Sequence, residues 1–182
     1  MIALARTREL TFATAGPGSV AHMSGELLAR ETGIRLEHVP YPGDAAAFPD
    51  VVSGRVNFRV GSWSDDRQHV QSGALKLLAV FYPHRLPDFP NTPTVTESVP
   101  SMGNYPAGVF NSIVVPARVP EELVAQISDG LRRALASDGF KQRISALGLY
   151  PRYTTVEETA VFLRNQVTTW SEIARSAGIL IQ

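Results

Sequence analysis

"TAGPGSVAHMSGELL", residues 14–28, decides how this chain is read. Two glycines and a run of small residues stand between the apolar stretch 10–13 and a segment of helical periodicity, so the backbone must turn sharply from strand into helix. Val20, Met23, Leu27 and Leu28 share one helix face while Glu26, Arg30 and Glu31 project elsewhere. That is the pattern of a crossover helix lying on a sheet. Ser19 is the expected N-cap and Gly33 the expected left-handed C-cap.

Around this turn, short β-rich segments alternate with helical ones: 10–15, a helix over about 19–31, "IRLEHVPY" (34–41), a helix near 45–53, "VNFRV" (56–60) and "LKLLAVF" (75–81). The series predicts an α/β unit. Between Tyr82 and Pro106 there are six prolines in 25 residues, which predicts an irregular surface connection. Beyond it, "VFNSIVVP" (109–116) reads as one strand, 120–137 as a helix opened by Pro120, and 154–178 as a long helix. Thr155 and Glu158 have capping-box spacing, and Gly178 closes the last helix.

Composition narrows the function. Lys plus Arg and Asp plus Glu each total 17, which leaves no field to attract nucleic acid or an acidic membrane. With no cysteine, thiolate chemistry, disulfides and Cys-ligated zinc are excluded. The four histidines, His22, His38, His69 and His84, contain no i, i+4 pair, so no metal and no cofactor is expected. The longest apolar stretches, such as 75–82, end within about eight residues, against about 20 for a bilayer span. "MIALARTREL" lacks the apolar core of an export signal.

The glycine turn admits three readings. Glycines at 16 and 18 allow close backbone approach, and free N–H groups of Ser19, Val20 and Ala21 would form a helix-end anion site. A plain strand-to-helix turn capped by Ser19 is the second reading. "GPGSVA" also fits the dinucleotide fingerprint, with Glu37 21 residues beyond Gly16, although Glu37 falls inside its strand where a ribose-binding acid belongs at the end. No G-x-S-x-G elbow accompanies Ser19 and His22, so no catalytic residue is assigned. Asp65, Asp66 and Arg67 read as a solvated helix start, and Trp63 and Trp170 as packing residues.

Residues 10–58, "LTFATAGPGSVAHMSGELLARETGIRLEHVPYPGDAAAFPDVVSGRVNF", resemble the second-domain opening of the tripartite tricarboxylate transporter receptors, the Bug family of extracytoplasmic solute-binding proteins. The resemblance is carried by Ala15, Gly16, Gly18, Ser19 and His22, then Val39, Pro40, Tyr41 and Gly43, then Gly54, Val56 and Asn57. "QSGALKLLAV", "RLPDFPNTPTVTES" and the segment from Ala146 to Ile179 continue it. It implies a periplasmic-binding-protein-like (type II) α/β clamp: residues 9–105 as the second lobe with the anion site, and 106–182 as the C-terminal part of the first lobe, whose N-terminal half is absent. It implies a receptor without catalysis that holds a small organic carboxylate through Thr14, Ala15, Gly16, Gly18, Ser19, Val20 and His22, with Tyr41 and Gly43 as a neighbouring wall. Its partners would be membrane transporter subunits, without membrane insertion of its own. The family's location is periplasmic, whereas the N-terminus as given carries no export signal, which leaves two readings: a shortened start, or a protein that stays in the cytoplasm. Bare helix faces in 107–182 would be covered by a second copy in a homodimer, and a truncated interaction module that binds no ligand is the alternative function. Departures from the family pattern fall at Phe110, Asn111 and Ser112, at Gly61 where an acid is frequent, and at Arg59 in a strand that is usually apolar.

Overall fold

Leu10, Phe12, Ala13 and Thr14 are buried on both faces of one strand, as the central strand of a parallel sheet requires. The computed structural model describes residues 1–103, 105, 110–176 and 178–179. After α1 (Ile2–Ala5) comes that strand, β1 (Leu10–Thr14), then α2 (Val20–Thr32), β2 (Leu36–Pro40), α3 (Asp44–Val52), β3 (Phe58–Arg59) and α4 (Trp63–Gln71). The sheet order is β2-β1-β3, all parallel. Register pairs Phe12 with His38 and Phe58, Ala13 with Val39 and Arg59, and Thr14 with Pro40. Side chains continue the short β1–β3 ladder: Thr11 N–H donates to Asn57 Oδ1 at 3.0 Å, and Asn57 N–H donates to Thr11 Oγ1 at 3.1 Å.

Strand alternation sorts residues between two helical layers. Ala13 packs on the α3 side with Ala47 and Val56. Phe12 meets α2, where Gly25 makes room for its ring: a Cβ at Gly25 would stand 2.2 Å from Phe12 Cε2. Beyond α2 lies a cluster of Met23, Leu27 and Leu28 with Val95 of α5 (Val95–Ser98), Val99, Met102, Ile173 and Ala174. Each large side chain buried in this way contributes about 1.5–3 kcal/mol. Trp170 packs against this cluster, edge-on to Tyr105 at 5.8 Å, and Trp63 meets Phe89 edge-on at 4.9 Å, so both tryptophans are packing residues.

By contacts the chain forms two units, Met1–Val109 with Thr168–Gln182, and Phe110–Val167. The second holds α6 (Glu121–Ala136), α7 (Asp138–Ala146) and the first part of α8 (Val156–Ser176). Thr155 and Glu158 close the expected capping box at 2.8 and 3.1 Å. Phe110 meets Phe162 edge-on at 4.9 Å. No residue of α6 or α7 is buried.

Two expected strands do not form. In 75–81 the β-pairing is confined to a single parallel bridge from Val80 to Thr94, because a two-residue β3 offers a fourth strand almost no ladder. Val109 lies outside the described residues. Residues 110–116 are irregular, and Ile113 and Val114 are 67% and 80% exposed: the β-branched run has no neighbouring strand to pair with among the described residues.

Gly25→Ala is expected to lower stability by about 1–2 kcal/mol, because overpacking against Phe12 outweighs the helix propensity gained. Urea unfolding followed by circular dichroism measures it; an unchanged midpoint would mean that α2 does not depend on this contact.

Candidate functional site at the carboxyl edge of the sheet

Parallel strands end on one edge, so the turns after β1, β2 and β3 gather there, each leading into a helix N-terminus. Tyr41 N–H donates to Thr14 O at 3.0 Å and Val60 N–H to Ala13 O at 3.1 Å, which ties the turns together. Gly16 takes a φ of 126° and Gly18 one of 73°, conformations that favour glycine. A Cβ at Gly16 would lie 3.6 Å from Tyr41 O.

Most of the turn's amides are engaged within the chain. Gly16 N–H donates to Thr14 Oγ1 at 3.2 Å, Gly18 N–H to His22 Nδ1 at 3.1 Å, and Ser19 N–H to Gly16 O at 3.3 Å. Ser19 caps α2 as expected, its Oγ accepting from His22 N–H at 3.2 Å while donating to Gly16 O at 2.8 Å. The expectation of three free amides is therefore corrected at Ser19, whose N–H is used to close the turn. Among the described residues, the N–H groups of Val20 and Ala21 have no acceptor in the chain.

The three helix starts differ in charge. The first turn of α3 carries Asp44 and that of α4 carries Asp65 and Asp66, whereas the first turn of α2 has no acid. Carboxylates next to helix N-termini offset the partial positive charge there. Of the three ends, only that of α2 lacks an anion of its own.

Arg59, at the end of β3, lies on the α3 side of the sheet with only 4% of its side chain exposed. It pairs with Asp44, meets Asp66 at 3.0 Å and stands over the Phe48 ring at 4.4 Å. The bare face of Gly61 admits it, since a Cβ there would meet Arg59 Nη2. Asp66 is thus not part of a solvated helix start, as Asp65 is; α4 turns it inward to the buried guanidinium. Burial pushes its carboxyl up to about 6, against the pull of Arg59.

On the α2 side, His22 and His38 stack with ring centroids 3.8 Å apart, beside Phe12. His38 Nε2 lies 2.6 Å from Thr14 Oγ1. Burial, aided by the neighbouring His22, brings the His38 imidazole down to about 4. Burial also lowers His22, with Glu26, 3.6 Å from Nε2, acting in the opposite direction.

The structure brings Thr14, Ala15, Gly16, Gly18, Ser19, Val20 and His22 together in one turn, with Tyr41 and Gly43 beside it in the β2–α3 connection. Tyr41 contributes backbone to that wall; its hydroxyl donates to Asp50 Oδ2 at 2.7 Å. Glu37 pairs with Thr11, three positions short of the edge of β2, which is the wrong place for a ribose partner. A groove of about 310 Å³ beside the later turns of α2, lined by Leu27, Ala29, Ile34 and Ile173, contains none of these residues. Sequence reasoning missed His38 and the Arg59–Asp66 pair. The alternation of "IRLEHVPY" could have placed His38 on the Leu36 face, but not in register with Phe12.

The family profile described as "Tripartite tricarboxylate transporter family receptor" matches residues 1–179. The chain is 28% identical over 179 residues to a UPF0065 protein of Bordetella bronchiseptica, covering 98% of this chain and 52% of that one. It resembles the solved structure of R. palustris Rpa4515 with adipate at a TM-score of 0.83 and 26% identity, covering 98% of this chain and 60% of that chain. MatC of Rhodopseudomonas palustris, solved with bound malate, gives 0.71 and 26%, covering 90% and 56%. The chain thus spans about half to three fifths of these proteins' length.

Asp66 and His38 should tilt stability in opposite directions with pH. The raised carboxyl contributes stability that is fully present below its ordinary value and lost as pH rises through about 6. The lowered imidazole contributes stability that is present above its ordinary value and lost as pH falls through about 4. Between about pH 7 and about pH 4.5, Asp66→Asn is expected to lose more stability than wild type and His38→Phe less, as measured by urea midpoints at the two values. Parallel profiles for all three proteins would contradict the assignment.

Proposed function

Because the chain belongs to the tripartite tricarboxylate transporter receptor family, we propose that it recognises a small organic carboxylate at the amide end of α2 and presents it to membrane transporter subunits. The family is one of receptors, not enzymes, and its receptors are periplasmic. The fold is that of the α/β periplasmic-binding-protein-like receptors, one lobe plus part of a second. Residues 9–105 are proposed as the lobe that carries the site, and 106–182 as the part of the other.

One observation carries the proposal. Three helix N-termini converge, and two already have carboxylates of their own in the first turn, while α2 offers two amides without acceptors and no acid. A ligand carboxylate would complete the pattern that Asp44 and Asp66 set at the neighbouring ends. Adipate and malate, bound by the two R. palustris proteins, have the matching chemistry, so di- and tricarboxylates and acidic amino acids are the ligand classes to test.

A second reading is supported by the exposed apolar residues of the second unit, Phe110, Ile113, Val114, Leu123, Val161 and Val167. In this reading a second copy of the chain covers them.

Val20→Pro separates donor loss from misfolding. Position N1 of a helix accepts proline, and Ser19, at φ −64° and ψ 156°, already has the extended backbone that a following proline needs. The variant is expected to keep its melting temperature and to weaken carboxylate binding at least about tenfold, because it deletes a charge-assisted hydrogen bond. Calorimetry with adipate, malate, citrate and glutamate reads the effect; no binding of any of them by wild type would end the proposal. For the second reading, light scattering is expected to find a dimer that Val114→Glu converts to monomer.

A further inference from the structure

Gly18 N–H is the one amide of the glycine turn held by a titratable side chain. His22 Nδ1 accepts it at 3.1 Å, so the ring must be unprotonated at Nδ1 for this bond to exist. His22 lies in the first turn of α2 and is held there twice: its backbone N–H donates to Ser19 Oγ, and its ring face lies on His38. Its side chain keeps 13% of its exposure, and Val20 and Ala21, whose amides have no acceptor among the described residues, share the same first turn. A proton on Nδ1 would set one N–H against another and release Gly18.

Resting on the carboxylate site proposed above, we infer that His22 is its proton-linked group: a bound carboxylate takes the Gly18 N–H from His22 Nδ1, and Nδ1 takes one proton from solvent and donates it to the same carboxylate. The exchange balances. One hydrogen bond within the turn is replaced by two charge-assisted ones to the ligand, and each carboxylate arrives with one proton from the buffer. Gly18 then joins Val20 and Ala21 as a ligand donor, so the free turn holds one of its donors in reserve.

The charged groups around the ring favour a single proton. Glu26, one turn along α2, lies 3.6 Å from Nε2 and supports the imidazolium. From β2, His38 presents its ring face and is held neutral by burial and by His22. From β1, Phe12 presents a ring 6.4 Å away and no charge. In the absence of a ligand, burial lowers the proton affinity of His22, which leaves room for an arriving anion to raise it.

The test is calorimetry on the whole chain with adipate and, separately, malate, at about pH 6.5 in buffers of different ionisation enthalpy. Uptake of about half to one proton per ligand is expected, falling towards zero near pH 8. His22→Asn keeps an acceptor where Nδ1 stood but has nothing to titrate, so its binding heat should be independent of buffer. Binding by wild type without proton uptake overturns the inference and leaves the carboxylate site standing. Uptake that persists in His22→Asn also overturns it, because the proton then belongs to another group such as Asp66. If neither acid binds, both readings fall.

Discussion

The ring of Phe12 against the bare Cα of Gly25 sets the distance between α2 and the sheet, and the candidate site depends on that distance. Phe12 is fully buried at the centre of the central strand, with Phe58 on one side and His38 on the other. If α2 stood further away, His22 could not lie on His38, and the helix would no longer start where Ser19 can both close the turn and cap it. The precision of the glycine turn is thus set two helical turns away, by packing and not by the turn itself.

Local chemistry was legible in the sequence. Ser19, Gly33 and the Thr155–Glu158 box each act within four residues, so residue type and spacing are sufficient to read them. The βαβ order was legible for the same reason, since each strand and helix carries its own periodicity. What could not be read depends on partners far along the chain. Arg59 looks like a charge interrupting a strand until α3 and α4 bring Asp44 and Asp66 to it, and Asp66 looks solvated until α4 is rotated onto the sheet. The run at 75–81 has the residues of a strand, but strand formation requires a neighbour with free backbone groups, and β3 is too short to supply them. At the glycine turn, the sequence identified the donors without revealing which of them the turn itself consumes.

The carboxyl edge separates two kinds of electrostatic environment with one sheet. On the α3 side, a buried guanidinium is enclosed by carboxylates that also occupy two helix starts, so charge is settled within the chain. On the α2 side, two stacked imidazoles and two hydroxyls organise a turn whose helix start has no acid. Alternation along β1 and β3 achieves the separation: Ala13 and Arg59 point one way, Phe12 and Phe58 the other. An incoming anion therefore meets oriented dipoles at the helix start, with Glu26 one turn along α2 beside His22 Nε2.

The irregular stretch through Ile113, Val114 and Val115 has a consequence for handling the molecule. Three consecutive β-branched residues with open backbone form a short adhesive tape, able to zip onto any free strand edge it encounters, including its own copy in a neighbouring molecule. Pro116 ends the tape after those three residues and acts as a gatekeeper against longer stacking. A formal net charge of zero gives neighbouring molecules no repulsion to keep this segment apart in concentrated solution.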